Sequence, residues 1–316
     1  MVKNGAKSSS GFKYRGPRLK KLNRKQARAK AKQEASKRPN LPGSFKLTKQ
    51  AVGLVWQNKR LFGGIILIYL LLNTVFASGI GNLNSDVNSI KADLNSLSGS
   101  SHPVASGISG FLQLVVSSGA SGSSLGSTFQ AVLIVLASLA IIWSLRQTVA
   151  NKKITVKEAF YNSMFPLIPF LLVIAFIFIQ LLPFTLGATV MSAIFGVGSV
   201  STFWAVLISG IFILLTAWSF YMVSASAFAL YIVTLPNMQP RQALRAAKDL
   251  VRFRRLQILK KVVFLPLLLL VISGVVIVPL ILYATFMVTP VFYVFSALGL
   301  LFVHSYFYNL YRSLLE

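Results

Sequence analysis

Apolar residues in this chain fall in long unbroken blocks near 61–80, 128–145, 164–186, 203–234, 262–284 and 287–310. Each block reaches the ~17–25 residues that carry a helix across a bilayer. Six transmembrane helices are expected. The last two are the hardest to separate, because only the few residues from Tyr283 to Pro290 are left for a turn. The polar intervals carry their own pattern. Between 81 and about 125, a segment rich in Ser, Gly and Asn, Leu83, Val87, Ile90, Leu94 and Leu97 recur at helical spacing and predict a short amphipathic helix.

A second amphipathic stretch, "MQPRQALRAAKDLVRFRRLQILKK", spans 238–261. A helix over 240–258 gathers Arg241, Arg245, Lys248, Arg252 and Arg255 into one arc. Ala243, Ala246, Ala247, Leu250, Val251, Phe253 and Ile258 take the other side, with Arg254 intruding. Pro240 suits the first helical turn, where its missing N–H costs nothing. The pattern is that of a helix lying in a membrane interface. Three readings stay open. The helix docks on the bundle and sets topology, it holds an anionic lipid headgroup, or it meets nucleic acid. The last is the weakest, since no aromatic side chains are spaced to stack bases.

The blocks also echo one another. "FPLIPFLLVI" (165–174) resembles "LPLLLLVI" (265–272), pairing Pro166 with Pro266, and "PFTLGATVM" (183–191) resembles "PLILYATFM" (279–287), pairing Pro183 with Pro279. Short steps precede the odd-numbered spans: Lys49-Gln50-Ala51, Lys157-Glu158-Ala159 and Arg241-Gln242-Ala243. The repeating unit is expected to be a cytoplasmic interfacial helix followed by a transmembrane hairpin. Three such units would be parallel repeats about the membrane normal. The fold class expected is an all-α polytopic membrane helix bundle.

Composition agrees. The chain is 55% hydrophobic and only 12% charged, about half the charge of a soluble domain. Its net charge of +26 is unevenly placed, since 16 of the 32 Lys and Arg lie in the first 50 residues. Residues 1–43 read as a disordered basic tail rather than a signal peptide. "RPNLPG" (38–43) separates it from the six-helix domain, 44–316. With six spans, 31 of 32 basic residues fall on one side and only Lys91 on the other. The positive-inside rule makes that side cytoplasmic and places both termini there, in the cytoplasmic (inner) cell membrane. A block of cations attracts any polyanion. Anionic phospholipid is the nearest, and ribosome or nucleic acid contact by the tail is a weaker alternative.

Little chemistry is on offer. There are no cysteines, six acids and two histidines. Glu34 is in the basic tail, Glu316 is the last residue, Asp86 and Asp93 share the outer segment, and Glu158 and Asp249 sit among cations where salt bridges account for them. His102 lies in the Ser/Gly loop. His304 lies beside Tyr306, Tyr308, Asn309 and Tyr311, the makings of an interfacial aromatic belt. No metal set, P-loop or dinucleotide fingerprint is present. No catalytic residue, metal or cofactor is expected. The spans carry no charge at mid-depth, which speaks against a proton-coupled pump. Gln180, Ser219, Tyr221, Ser224 and Ser226 form either a polar path or packing contacts between helices.

The segment "KLTKQAVGLVWQNKRLFGGIIL" (46–67), with the paired hairpins and basic interfacial helices, resembles an uncharacterised bacterial six-helix membrane protein family. That family is related to the membrane domain of some glycerophosphodiester phosphodiesterases. The likeness covers about 44–312 and implies topology. The carboxylates and histidines of the phosphodiesterase domain have no counterpart in this chain, so no catalytic role carries over. The expected function is non-enzymatic: organising or sensing anionic lipid through basic surfaces. The alternative is a permease subunit or carrier for a lipid or small neutral solute. A membrane-protein partner fits either reading.

Overall fold

The computed structural model describes residues 41–76, 124–196, 201–252 and 254–315. Most of the basic tail, the Leu83–Leu97 stripe, nearly all of the outer 81–125 segment, Lys91 and His102 lie outside the described residues. The described residues form α-helices and no strand. In chain order these are α1 (Ser44–Gln57), α2 (Lys59–Phe76), α3 (Ser124–Val149), α4 (Val156–Ser163) and α5 (Leu167–Gly196). Then come α6 (Thr202–Ser226), α7 (Ala229–Ile232), α8 (Pro240–Val251), α9 (Arg255–Tyr283) and α10 (Thr285–Leu315).

Six spans are long and apolar enough to cross a membrane: α2, α3, α5, α6 with α7, α9 and α10. They run from 18 to 30 residues, about 27–45 Å at 1.5 Å per residue. A bilayer's hydrocarbon core is ~30 Å thick. Phe178, Ile179, Leu214, Trp218, Val275 and Phe286 stand exposed on these helices. Apolar surface of that extent calls for lipid against it rather than water. The chain is an integral, multi-pass membrane protein. Lipid also explains why Pro183, Pro266, Pro279 and Pro290 lie inside helices. Within the bilayer the helix pairs backbone groups that no water is present to satisfy, and neighbouring helices absorb the local defects.

Two boundaries differ from the sequence expectation. Ala284 alone separates α9 from α10, at φ −144° and ψ 61°, and Pro290 lies inside α10 rather than in the turn. The single helix expected over 240–258 is broken between Val251 and Arg255, with Arg254 at φ −131° and ψ 18°. The cause is directional. The cation-and-alanine pattern of α8 suits an interface, the apolar run of α9 from Val262 onward suits an interior, and one straight helix cannot lie in both.

The spans pack in chain-adjacent pairs: α2 with α3, α5 with α6, α9 with α10. The second span of each pair also touches the first span of another, as α3 with α5, α6 with α9 and α10 with α2. Each short helix packs on a span other than the one it precedes: α4 and α8 on helices before them in the chain, α1 on one far after it. Helix α4 lies on α3, α8 on α6 and α7, and α1 on α10. Ala51, Ala159 and Ala243, the last residues of the three short steps, are all fully buried. The paired prolines are less alike: Pro166 stands in the turn before α5, whereas Pro266 is well inside α9.

Helix α1 is fastened to the end of the chain by more than its buried Leu47 and Ala51. Phe45 meets Phe264 of α9 edge-on at 5.2 Å between ring centroids. The buried Lys261 ammonium donates to the Pro42 carbonyl. The Tyr306 hydroxyl donates to the Lys261 carbonyl at 3.3 Å.

Candidate functional site

The chemistry of this bundle is concentrated at one end, where α3, α7 and α10 meet. Arg146, near the end of α3, donates to the Thr234 carbonyl at 2.8 Å, to Thr234 Oγ1 at 2.6 Å and to the Tyr231 carbonyl at 3.3 Å. Carbonyls at a helix end lack a succeeding helical amide. A cation there satisfies them and complements the dipole. Arg146 is thus a C-cap for α7 supplied from another helix pair. Beside it the buried Tyr231 hydroxyl shares a hydrogen bond of 3.1 Å with His304 Nδ1. The Tyr231 ring stacks on Phe307 and Tyr311 at 6.5 and 6.2 Å. His304, Tyr306 and Tyr308 are buried, so they form an internal knot rather than the interfacial belt that their composition suggested.

Helix α8 presents the cationic face expected of it. Arg241, Arg245, Lys248 and Arg252 are exposed, while Ala243, Ala247 and Val251 are fully buried. Arg255 belongs to α9 instead, and its guanidinium lies over the Tyr221 ring at 5.0 Å. That is cation–π distance, so Arg255 is engaged with α6.

A cavity of about 970 Å³ opens between the α1–α2 junction, the α3–α4 loop and the end of α10. Lys59, Arg60, Lys152, Lys153 and Arg312 line it, and no acidic side chain is among its lining residues. The loop is shaped by its helix ends. Asn151 takes a left-handed conformation (φ 55°). Its amide and that of Lys152 donate to the Thr148 and Gln147 carbonyls, both at 3.0 Å, the pattern of a Schellman closure. Thr155 and Glu158 then form a reciprocal capping box at 3.0 and 3.3 Å. The carboxylate of Glu158, expected in a simple salt bridge, accepts from the Thr155 amide. Gly64 permits the close approach of α2 to α4, since a Cβ there would stand 2.7 Å from Val156 Cγ2.

Within the spans, Gln180 and Ser219 are buried, and Gln180 Oε1 and Ser219 Oγ find no hydrogen-bond partner among the described residues. Phe184 meets Phe212 and Phe220, a register that brings Gln180 to the level of Ser219. Ser224 and Ser226 bond back to the carbonyls of Tyr221 and Met222 in their own helix. Tyr221 is exposed. Among the described residues no group of three His, Cys, Asp or Glu side chains converges as a metal set would.

Comparison with family models, with curated proteins and with solved structures gave no match. Geometry alone therefore carries the functional argument. The cavity and the Arg146 cap were not singled out from sequence. Residues 59–60, 152–153 and 312 share no local motif, and a cap donated across helix pairs leaves no periodic signal. The available hint was Arg146 itself, a cation near the end of an otherwise uncharged apolar run.

Proposed function

We propose that this protein is a non-enzymatic, multi-pass protein of the cytoplasmic membrane that engages anionic lipid through its basic end, with both termini in the cytoplasm. The observation that carries the reading is the division of α8 into an exposed cationic face and a buried alanine and valine face. A helix seated in this way presents charge to headgroups without leaving the bundle, and each cation near an anionic leaflet contributes ~1 kcal/mol before screening. The test replaces Arg241, Arg245, Lys248, Arg252 and Arg255 with Gln and measures how much phosphatidylserine the protein retains when it is extracted from membranes that contain it. Retention should fall and become less sensitive to salt; unchanged retention overturns the proposal.

A carrier is the second reading, favoured by the unpartnered oxygens of Gln180 and Ser219. Cysteines introduced at those positions should react with aqueous reagents in at least one condition if a polar path opens there. We also take the chain to be three parallel repeats, kin to the membrane domains found beside glycerophosphodiester phosphodiesterases. The seating of α1, α4 and α8 on the second span of another pair, each with a fully buried alanine, supports that reading.

A further inference from the structure

The cavity beneath Lys59, Arg60, Lys152, Lys153 and Arg312 is not explained by topology alone. A positive-inside bias puts cations at the ends of spans, but it does not require cations from three separate parts of the chain to border one hollow, although the Lys59 ammonium also lies 5.7 Å over the Trp56 ring. Like charges gathered in this way repel, and no acidic side chain lines the hollow to offset them. The one nearby carboxylate, Glu158, caps α4 through the Thr155 amide, and a single charge there offsets only part of five.

The backbone adds little to the field: α1 runs into α2 across Asn58 alone, and the α4 N-terminus is already capped by Thr155 and Glu158. The Schellman closure at Asn151 takes up the Gln147 and Thr148 carbonyls of α3, which leaves fewer bare carbonyls beside an anion. The side-chain cations therefore carry the attraction. Size narrows the ligand further. At about 970 Å³ the cavity is far larger than one inorganic anion and lies within the ~300–1,000 Å³ of ligand sites. Leu54, Leu61, Val149 and Val156 supply apolar lining beside the cations. The site sits where α2 begins and α3 ends, at the edge of the bilayer.

We propose that this cavity binds a phosphomonoester group, one that carries close to two negative charges near neutral pH, with an apolar or glycerol body behind it. The proposal rests on the membrane placement given above but not on the α8 face, which is a separate surface. The same chemistry is offered by a lipid headgroup such as that of phosphatidate and by a soluble phosphomonoester such as glycerol phosphate.

The experiment uses the full chain in phosphatidylcholine nanodiscs carrying a minor fraction of phosphatidate, read by native mass spectrometry. The parent should hold one phosphatidate more firmly than the bulk ratio explains. Lys59→Gln, Arg60→Gln, Lys152→Gln and Lys153→Gln together should cut its occupancy at least tenfold. The single changes Lys152→Gln and Lys153→Gln should each lower it measurably, and all five cations are exposed, so the fold is put at little risk. Exchanging Lys for Arg and Arg for Lys at these positions should keep it. The α8 Gln variant should shed loosely held anionic lipid yet retain this one molecule, so the two surfaces succeed or fail separately. Glycerol phosphate is then titrated against the parent. Displacement at millimolar concentration, or binding of glycerol phosphate where phosphatidate is not held, assigns the site to a soluble phosphomonoester. Resistance to displacement assigns it to lipid. Equal phosphatidate occupancy in the parent and the quadruple variant overturns the proposal, as does a parent that holds neither probe.

Discussion

Replacing Arg146 with methionine keeps a long apolar stem and removes the guanidinium. Three hydrogen bonds are lost, at 2.6, 2.8 and 3.3 Å, and with them the cap on α7. Hydrogen bonds to charged groups contribute ~1.5–3 kcal/mol each. The three share one donor group, the longest is weak, and Arg146 is only half-buried. The expected loss is therefore about 2–4 kcal/mol, roughly 30- to 1,000-fold in the unfolding equilibrium. Reversible unfolding in mixed micelles, followed by circular dichroism, measures it. Arg146→Lys keeps the charge but not the planar fork, so it should recover only part of the loss. Thr234→Val removes the 2.6 Å partner, at a cost of about 1 kcal/mol alone. It should cost little more once Arg146 is already methionine, a non-additivity expected of contacting residues. If Arg146→Met stays within ~0.5 kcal/mol of the parent, the ordinary scatter of surface changes, or if lysine restores full stability, the capping argument is wrong.

Other consequences can be checked in the same assay. Leucine at Ala51, Ala159 or Ala243 should overfill a closed contact and destabilise by about 1–3 kcal/mol in each case; a tolerated leucine would mean that the short helices are not seated through these methyls. Gly64→Ala should destabilise because its Cβ would meet Val156 Cγ2 at 2.7 Å, and adding Val156→Ala should restore most of the loss. Tyr231→Phe leaves His304 Nδ1 without its hydroxyl partner and should cost about 1–3 kcal/mol. Cysteines at 153 and 91 should be labelled from opposite faces of sealed membranes; labelling from one face would contradict the six-span topology.

The spans were legible because lipid imposes a simple rule: a long apolar run must satisfy its own backbone, and a helix does so locally. The two faces of α8 were legible for a similar reason, since the 3.6-residue period separates Arg241, Arg245 and Lys248 from Ala243, Ala247 and Val251. Periodicity fails where direction changes. It runs on through Arg252–Arg254, so the break there stayed hidden, and Arg255 was grouped with cations from which it is parted. Composition fails where burial is decided by distant partners. His304 and its tyrosines look interfacial until Tyr231 is placed against them. The cavity was the least legible feature, because its cations converge only after α1, α4 and α10 have each packed on another part of the chain.

The contact of α1 with α10 sets an order of events during synthesis. Leu47 and Ala51 leave the ribosome well before α10, the helix that covers them, whose first residue is Thr285. At ~5–20 residues per second, tens of seconds pass before α10 exists to receive them. For that interval α1 carries an uncovered apolar face, and neighbouring lipid or a chaperone must shelter it. A ribosome stalled before Thr285, or a message cut short there, would leave a chain with most of its spans inserted and its first helix unseated. Quality-control proteases would thus have in α1 a signal that α10 never arrived.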